Sequence, residues 1–454
     1  MGNSERDGGP PDPIDARIRE IAHEIRVAEP RLPFRDRLSD AALTHLEGRR
    51  ELRAALLRFV DAAPACHGPR ERGAHLRAYL RQAPREQLPL PLRALAADPL
   101  GPALVPLGGA ATRPAIRLLA HRFIAGRDAP AARSVLRRAW DRGEAFTLDL
   151  LGEATVTAGE CDAYRDRCLA ALDYLTELSA GWPAHPLLAE ADRHGPLARV
   201  NLSVKLTALT PLLRAEAPER GASEAAARLR PLLRRARDLG AHLHLDMEWV
   251  DTRETLLSAV EALLAEEEFR SGPSAGIVVQ AYLRDAGETL ERVIDSPVCA
   301  RQVPLTVRLV KGAYWEHESA EAGQVGWEPP VWATKGDTDR CFEALTRRLI
   351  ELGDRVRPAI ASHNLRSLSH AIAYHESRGG HRADIELQVL RGLGDSLARA
   401  LAATAHRVRV YTPVGDLVAG MAYLVRRLLE NSSSQGFLLQ ERSRPLEELL
   451  EPPR

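Results

Sequence analysis

The sequence predicts an α/β fold, a (β/α)8 barrel of the TIM type preceded by an N-terminal helical arm. Three observations carry that reading. From residue 146 onward, short β-rich runs alternate with longer helical runs, the pattern of βαβ units. Eight such strand candidates occur, the number a closed parallel barrel needs. Several, such as Ile277-Val278-Val279, are apolar on both faces, as strands under a helical jacket are.

Taken in order, residues 1–13 are polar and rich in Gly and Pro and read as a disordered tail. Residues 14–110 read as a helical arm, with apolar spacing at Ile18-Ile21-Ile25 and Leu52-Leu56-Leu57. Pro84, Pro89, Pro91, Pro99 and Pro102 mark a loose connection. Helix is expected again over Ala115–Ile124 and Pro130–Arg142. The barrel is expected over 111–437, followed by a tail at 438–454. Its strands are Phe146–Leu151, Arg199–Lys205, His242–Met247, Ile277–Tyr282, Leu305–Val310, Ala359–His363, Ile385–Leu390 and Val408–Tyr411. Amphipathic segments such as Ser223–Leu239 and Thr252–Glu267 lie between them. The competing open, doubly wound sheet usually carries a Gly-rich turn after an early strand. Here only Gly392-Leu393-Gly394 approaches that pattern, late and without the third glycine.

Composition narrows the function. Hydrophobic residues make up 45% of the 454-residue chain, enough for a substantial core. Lys+Arg and Asp+Glu both number 62, and only 5% of residues are aromatic. Neither a nucleic-acid partner nor a base-stacking platform is expected from that balance. No apolar run reaches the length of a membrane span, and the N-terminus lacks a signal-peptide core. The five cysteines show no CxxC or Cys/His metal spacing, and Cys161 and Cys168 read as buried helical thiols. A reducing, cytoplasmic setting is the expectation.

The chain writes its positive charge almost entirely as arginine. Its three lysines are Lys205, Lys311 and Lys335. Lysine is a compact point charge, whereas arginine is a planar fork, so the retained lysines point to sites that need the former. Barrel chemistry sits at the carboxyl ends of the strands. Those ends offer Glu153, Lys205, Asp246, Glu248, Gln280, Arg308, Lys311, His363, Gln388 and Tyr411. So many polar groups in one place describe a cavity for a charged ligand, because burying unpaired charge is costly. Beyond the last strand, Ala419–Asn431 reads as a helix carrying Arg426, Arg427 and Glu430. By helical pattern alone this is either an exposed helix with an i,i+4 pair or a pair of guanidinium forks set over the barrel mouth.

In the order in which they occur, these segments resemble the proline dehydrogenase family, especially the dehydrogenase domain of bacterial proline utilization A. The similarity runs from about Ala115 to Phe437. Its motifs are FTLDLLGEATVT (Phe146–Thr157), VKLTAL (Val204–Leu209), Asp246–Glu248, VQAYLRD (Val279–Asp285), RLVKGAYW (Arg308–Trp315), Pro330–Asp339, Ser362–Asn364, Glu386–Gly394, YTPVG (Tyr411–Gly415) and YLVRRLLEN (Tyr423–Asn431). The resemblance implies FAD within the barrel and oxidation of L-proline to Δ1-pyrroline-5-carboxylate, the first step of proline catabolism, by hydride transfer to flavin N5. It implies that Arg426 and Arg427 grip the proline carboxylate near Lys205, that Asp246 pairs with Lys205 and Glu153 with Arg426, and that Glu430 orients the cluster. Tyr411, Tyr314 and Leu390 are implied around the pyrrolidine ring. Gln280 and Arg308 are implied against the flavin ring, with Lys311, Gly312 and Trp315 close to it. Thr334, Lys335 and His363 are implied along the rest of the cofactor. Tyrosine at 411 accompanies a preference for proline in that family.

The resemblance further implies a quinone electron acceptor reached by peripheral contact at the cytoplasmic membrane face, and a pyrroline-5-carboxylate dehydrogenase as partner. Proline utilization A continues into an aldehyde dehydrogenase domain, while this sequence stops at Arg454; the expectation is either a monofunctional enzyme or a portion of a longer chain. No ribbon-helix-helix is read at its start, so no repressor role is expected. Trp249, where an acidic residue is usual, and Ser362, where threonine is usual, depart from the family pattern. Two alternatives stand beside this reading. One is a metal-dependent barrel hydrolase using His244, Asp246, Glu248 and His363. The other is an inactive barrel serving as a binding module.

Overall fold

The computed structural model describes residues 13–30, 49–98, 100–152, 155–213, 217–416, 420 and 444–453. All eight expected strands are present: β1 Glu144–Leu150, β2 Asn201–Lys205, β3 His242–Asp246, β4 Ser274–Gln280, β5 Leu305–Val310, β6 Val356–Ala361, β7 Glu386–Leu390 and β8 Val408–Val414. They close into one parallel barrel whose spatial order is the chain order, with β1 pairing to both β2 and β8. The apolar runs are buried as their two-sided pattern demands; β1 is buried along its whole length.

The jacket consists of α7 Ala158–Ala180, α8 Pro218–Leu239, α9 Val250–Leu264, α10 Ala286–Asp295, α11 Trp315–Val325, α12 Lys335–Glu351, α13 Leu365–Ser377 and α14 Asp395–Ala403. Local chemistry starts these helices. Thr157 and Glu160 form a reciprocal capping box on α7. Thr334 caps α12, and Asn364 caps α13. The floor of the barrel is polar. Glu386 is held by Arg409 at 2.7 Å and by Arg407 at 3.0 Å. Below it, Arg357 pairs at 2.7 Å with Asp192 of a short hairpin, Ala191–Asp192 with Gly195–Pro196.

Before the barrel come α1 Pro13–Ala28, α2 Arg50–Ala62, α3 Pro69–Leu80, α4 Leu90–Ala96, α5 Leu100–Phe123 and α6 Ala129–Trp140. The apolar stripe of α1, with Ile18, Ile21 and Ile25, joins the barrel's own core. Helices α2 to α5 share a smaller core around Leu52, Phe59, Leu80 and Phe123. The sequence places the return to helix at Ala115, but α5 begins at Leu100 and carries Pro106 and Pro114 inside it. An interior proline removes one helical hydrogen bond. Close packing of α5 on α3 offsets that loss: a Cβ on Gly109 would lie 1.7 Å from the Pro69 carbonyl oxygen, and one on Gly73 would lie 1.9 Å from that of Val105.

That contact is testable. Gly109→Ala forces two backbones apart and is expected to cost about 1–3 kcal/mol of stability. Gly108→Ala meets only the side chain of Leu95, with its nearest atom at 3.0 Å, and is expected to cost clearly less. Urea midpoints of the two variants, measured side by side, check the ranking.

Candidate active site

Strand register decides which side chains meet. Lys205 ends β2 level with Asp246 at the end of β3. On the other side of β2, Asp149 of β1 is level with Ser203. Tyr411 of β8 lies beside Leu390 of β7. Alternate strand residues share a face, and the inward set converges on the Lys205 ammonium. Its Nζ contacts Asp149 Oδ1 and lies 3.3 Å from Asp246 Oδ2 and 3.5 Å from the Tyr411 hydroxyl. Asp246 also accepts from Tyr411 Oη at 2.7 Å, from Arg308 Nη1 at 2.9 Å and from Ser203 Oγ at 2.5 Å. The Arg308 guanidinium stands 5.4 Å from the Tyr411 ring centre, within cation–π range.

Two cations and two carboxylates thus neutralise one another in a buried cluster. Burial works against the Lys205 ammonium, but Asp149 and Asp246 outweigh it and hold its pKa well above the ordinary lysine value. Burial would raise the Asp246 carboxyl, yet Lys205, Arg308 and the hydroxyls of Ser203 and Tyr411 keep it below the usual range. The Tyr411 phenol is pushed well up, first by burial and then by both carboxylates. Asp246 is therefore ionised and Lys205 and Tyr411 protonated near neutral pH, whereas burial, ahead of the opposing pull of Lys205, pushes the Asp149 carboxyl above its ordinary value.

The cluster forms one wall of a cavity of about 340 Å³, lined also by Gln280, Lys311, Gly312, Tyr314, Lys335, His363 and Leu390. All three lysines of the chain therefore line the same space. Gly312 has φ +126, and a Cβ there would lie 2.3 Å from the Tyr282 ring, so only glycine fits the close approach of this loop. Lys311 Nζ pairs with Asp339 at 2.5 Å. His363 Nε2 accepts from the Leu390 backbone N–H at 2.9 Å. Trp315 and Thr334 do not line the cavity: the Trp315 indole donates to the Trp332 carbonyl at 2.7 Å, and the Thr334 hydroxyl is occupied capping α12. Glu153, Arg426, Arg427 and Glu430, with the helix expected over Ala419–Asn431, lie outside the described residues, as does most of the expected N-terminal tail.

Sequence reasoning missed Asp149 and Ser203. The signal for Asp149 was available: it is the one charge in the strand run Phe146–Leu151. Ser203 carries no such signal, since a hydroxyl on an inward strand position is common. Trp249, the departure from the family pattern, has its ring 5.9 Å from that of Tyr314 and 6.1 Å from that of His317. It therefore buttresses the wall from behind Tyr314.

The metal reading fails on its nitrogen donors. His244 Nε2 faces the Ile277 carbonyl at 3.1 Å, so it must donate, which leaves Nδ1 to accept from His242 Nε2 at 3.2 Å. His242 Nδ1 then accepts from Ser274 Oγ at 2.8 Å. The His244 lone pair is thus used, and that of His363 Nε2, the other nitrogen of this reading, is used by the Leu390 N–H. Burial holds both rings neutral, with the His242 pKa lowered to about 3 and that of His244 also well below normal.

Can this cavity accept the flavin that the resemblance implies? It is lined by residues with buried polar atoms that have no partner among the described residues: Arg308 Nε and Nη2, and Gln280 Oε1. Gln280 Nε2 is anchored on the Glu248 carbonyl at 3.1 Å, which turns its oxygen away from the strand. Unsatisfied donors and an acceptor on residues that line a cavity suit a planar heterocycle that both donates and accepts.

Comparison with known proteins gives the family. The family model "Proline dehydrogenase" matches residues 132–440. The chain belongs to the proline dehydrogenase family. A second model, the proline utilization A N-terminal domain, matches residues 13–123. The bifunctional protein PutA of Salmonella typhimurium is 30% identical over 348 residues, 75% of this chain and 25% of that protein. Proline dehydrogenase 1 of Bacillus subtilis subsp. natto is 27% identical over 327 residues, 71% of this chain and 90% of that protein. A crystal structure of proline utilization A from Bdellovibrio bacteriovorus inactivated by N-propargylglycine superposes with a TM-score of 0.86 at 30% identity, covering 97% of this chain and 44% of that one. The chain thus spans about a quarter of the length of the first curated relatives it matches. No helix among the described residues is long and apolar enough to cross a membrane.

The buried imidazoles give a pH prediction. A histidine held neutral in the fold titrates near 6.5 when unfolded and near 3 when folded, as His242 does. The unfolded chain binds the extra proton between those values. Stability is therefore full above pH 6.5 and falls as pH drops toward 3, by roughly 1.4 kcal/mol per pH unit for each such histidine. His242→Gln should flatten that slope in urea titrations run between pH 6.5 and 4.

Proposed function

We propose that the chain oxidises L-proline to Δ1-pyrroline-5-carboxylate with FAD bound in the barrel cavity. The observation that carries this reading is the convergence of all three lysines, Arg308 and Gln280 on one cavity at the carboxyl end of the strands. When bound, FAD supplies the hydride acceptor; the protein contributes binding, orientation and electrostatics. Gln280 and Arg308 would hold the flavin ring with their unpartnered atoms, Lys311 would lie close to it, and Lys335 and His363 would hold the remainder. The Bdellovibrio relative supports an amino-acid site, since N-propargylglycine, like proline, is a secondary amine with a carboxylate.

The geometry also divides the labour among the cations. Lys205 is already matched by two carboxylates, so its charge is committed. A substrate carboxylate needs further cations, and Arg426 and Arg427 are the proposed pair, as forks suited to bidentate binding. Glu153 and Glu430 would steady them. Lys205 and Asp246 hold Tyr411 in place, and Tyr411, Tyr314 and Leu390 enclose the ring of the substrate. Fixing the carboxylate and the ring together orients C5 for reaction. A quinone acceptor, peripheral contact with a membrane, and a separate pyrroline-5-carboxylate dehydrogenase belong to the same proposal.

The test is anaerobic addition of L-proline to the purified, FAD-loaded protein. Loss of the flavin's visible band is expected; a coloured protein indifferent to proline would refute the substrate, and one that takes up no FAD would refute the cofactor. Arg308, Tyr411 and Lys205 share a single carboxylate, Asp246, while Asp149 holds Lys205 from the other side. Asp149→Asn should keep the flavin bound yet reduce kcat/KM for proline by about a hundredfold through misplacement of Lys205. Lys205→Ala should cost at least as much, roughly 10²–10³. Stopped-flow reduction rates of both variants check the order.

A further inference from the structure

Outside the candidate active site, the turn between α2 and α3 brings three chemically different ligands together. Glu71 and His75 are one helical turn apart on α3 and so share a face. Gly68 caps that helix and Pro69 opens it, turning the chain so that Cys66 returns beside the same face. One ligand atom from each of Cys66, Glu71 and His75 lies within 4.8 Å of the others. Among the described residues this is the one group of three or more His, Cys, Asp or Glu that converges in this way. His67 adds a fourth donor next door: its Nδ1 is 3.7 Å from Glu71 Oε2, on a side chain that is 93% exposed and able to rotate.

We propose that Cys66, Glu71 and His75 bind one borderline transition-metal cation, Zn²⁺ by the chemistry of the donors, with His67 or water as the fourth ligand. Sulfur and imidazole exclude the hard cations Mg²⁺ and Ca²⁺, and a mixed S, N, O set suits a tetrahedral Zn²⁺. Bonds of about 2.0–2.3 Å place tetrahedral ligands roughly 3.3–3.8 Å apart, so side-chain rotation alone closes the observed spacing. Thiolate and carboxylate together cancel the cation's charge, which matters beside Arg72. The cavity of about 540 Å³ that Cys66, His67 and Arg72 help to line gives water access to the open position. Bound metal would clip the connection at 63–68 onto α3 and stiffen the small helical core.

The plain alternative is an exposed hydrogen-bonded cluster, since Glu71 already accepts from the His67 backbone N–H at 2.6 Å. Untagged full-length protein, stripped with a chelator, separates the two. Titration with Zn²⁺ against a chromophoric chelator should give one saturable equivalent. Co²⁺ in its place should show a thiolate charge-transfer band. C66S should abolish that band, and E71Q or H75A should weaken Zn²⁺ binding by at least about tenfold. C299S, at a remote thiol, should bind as the unmodified chain does. Zn²⁺ should raise the thermal midpoint of the unmodified chain but not of C66S, whose metal-free midpoint reports that it still folds. Absence of a stoichiometric site, or wild-type affinity in all three ligand variants, overturns the proposal.

Discussion

A lysine buried between two carboxylates can exist only if the surrounding structure holds all three in place. Removing the charges from water is expensive, and the return depends on geometry. Here the geometry comes from a closed parallel sheet. Asp149, Lys205 and Asp246 sit on three consecutive strands, and Arg308 reaches Asp246 from two strands further on. A one-residue slip of any of these strands would turn its contribution outward. Barrel closure and site chemistry are therefore one constraint seen at two scales.

The polar interior extends below the site. The chain of hydrogen bonds from Ser274 through His242 and His244 to the Ile277 carbonyl runs in one direction only, because a carbonyl can only accept. Beneath it lie Glu386 with its two arginines and the Arg357–Asp192 pair. Glu386, Arg357, Arg407 and Arg409 in this stack are all paired, while Arg308 and Gln280, where the cavity begins, keep buried atoms without a partner among the described residues. The arginine-rich interior is also why the lysines stood out: the structural pairings are written with forks, and the cavity retains the point charges.

The helical region before the barrel follows a different logic. Helices α1 and α6 are joined to the barrel core, whereas α2 to α5 share a smaller core that meets the barrel through Leu393, Leu151 and Leu390, and rely on glycine-mediated backbone contact. Small cores bury little apolar surface and benefit from an added cross-link. The Cys66–Glu71–His75 cluster lies in the part of the chain where a metal clip would have the most effect.

What the sequence determined by itself was the barrel and the list of polar strand ends, because hydrophobic periodicity and the position of charges along a strand are local properties of the chain. Strand boundaries shifted by a few residues at most, and the lysines, Asp246, Arg308, Gln280 and Tyr411 met as their strand-end positions suggested. Tertiary structure decided the rest. The length of α5 against its prolines, the role of Asp149 as the nearer partner of Lys205, the exclusion of His244 from metal binding, and the absence of Trp315 and Thr334 from the cavity wall are all outcomes of which atoms meet across the barrel. Pairing between distant segments carries no trace in the spacing of residues along one of them, so only the folded register could reveal it.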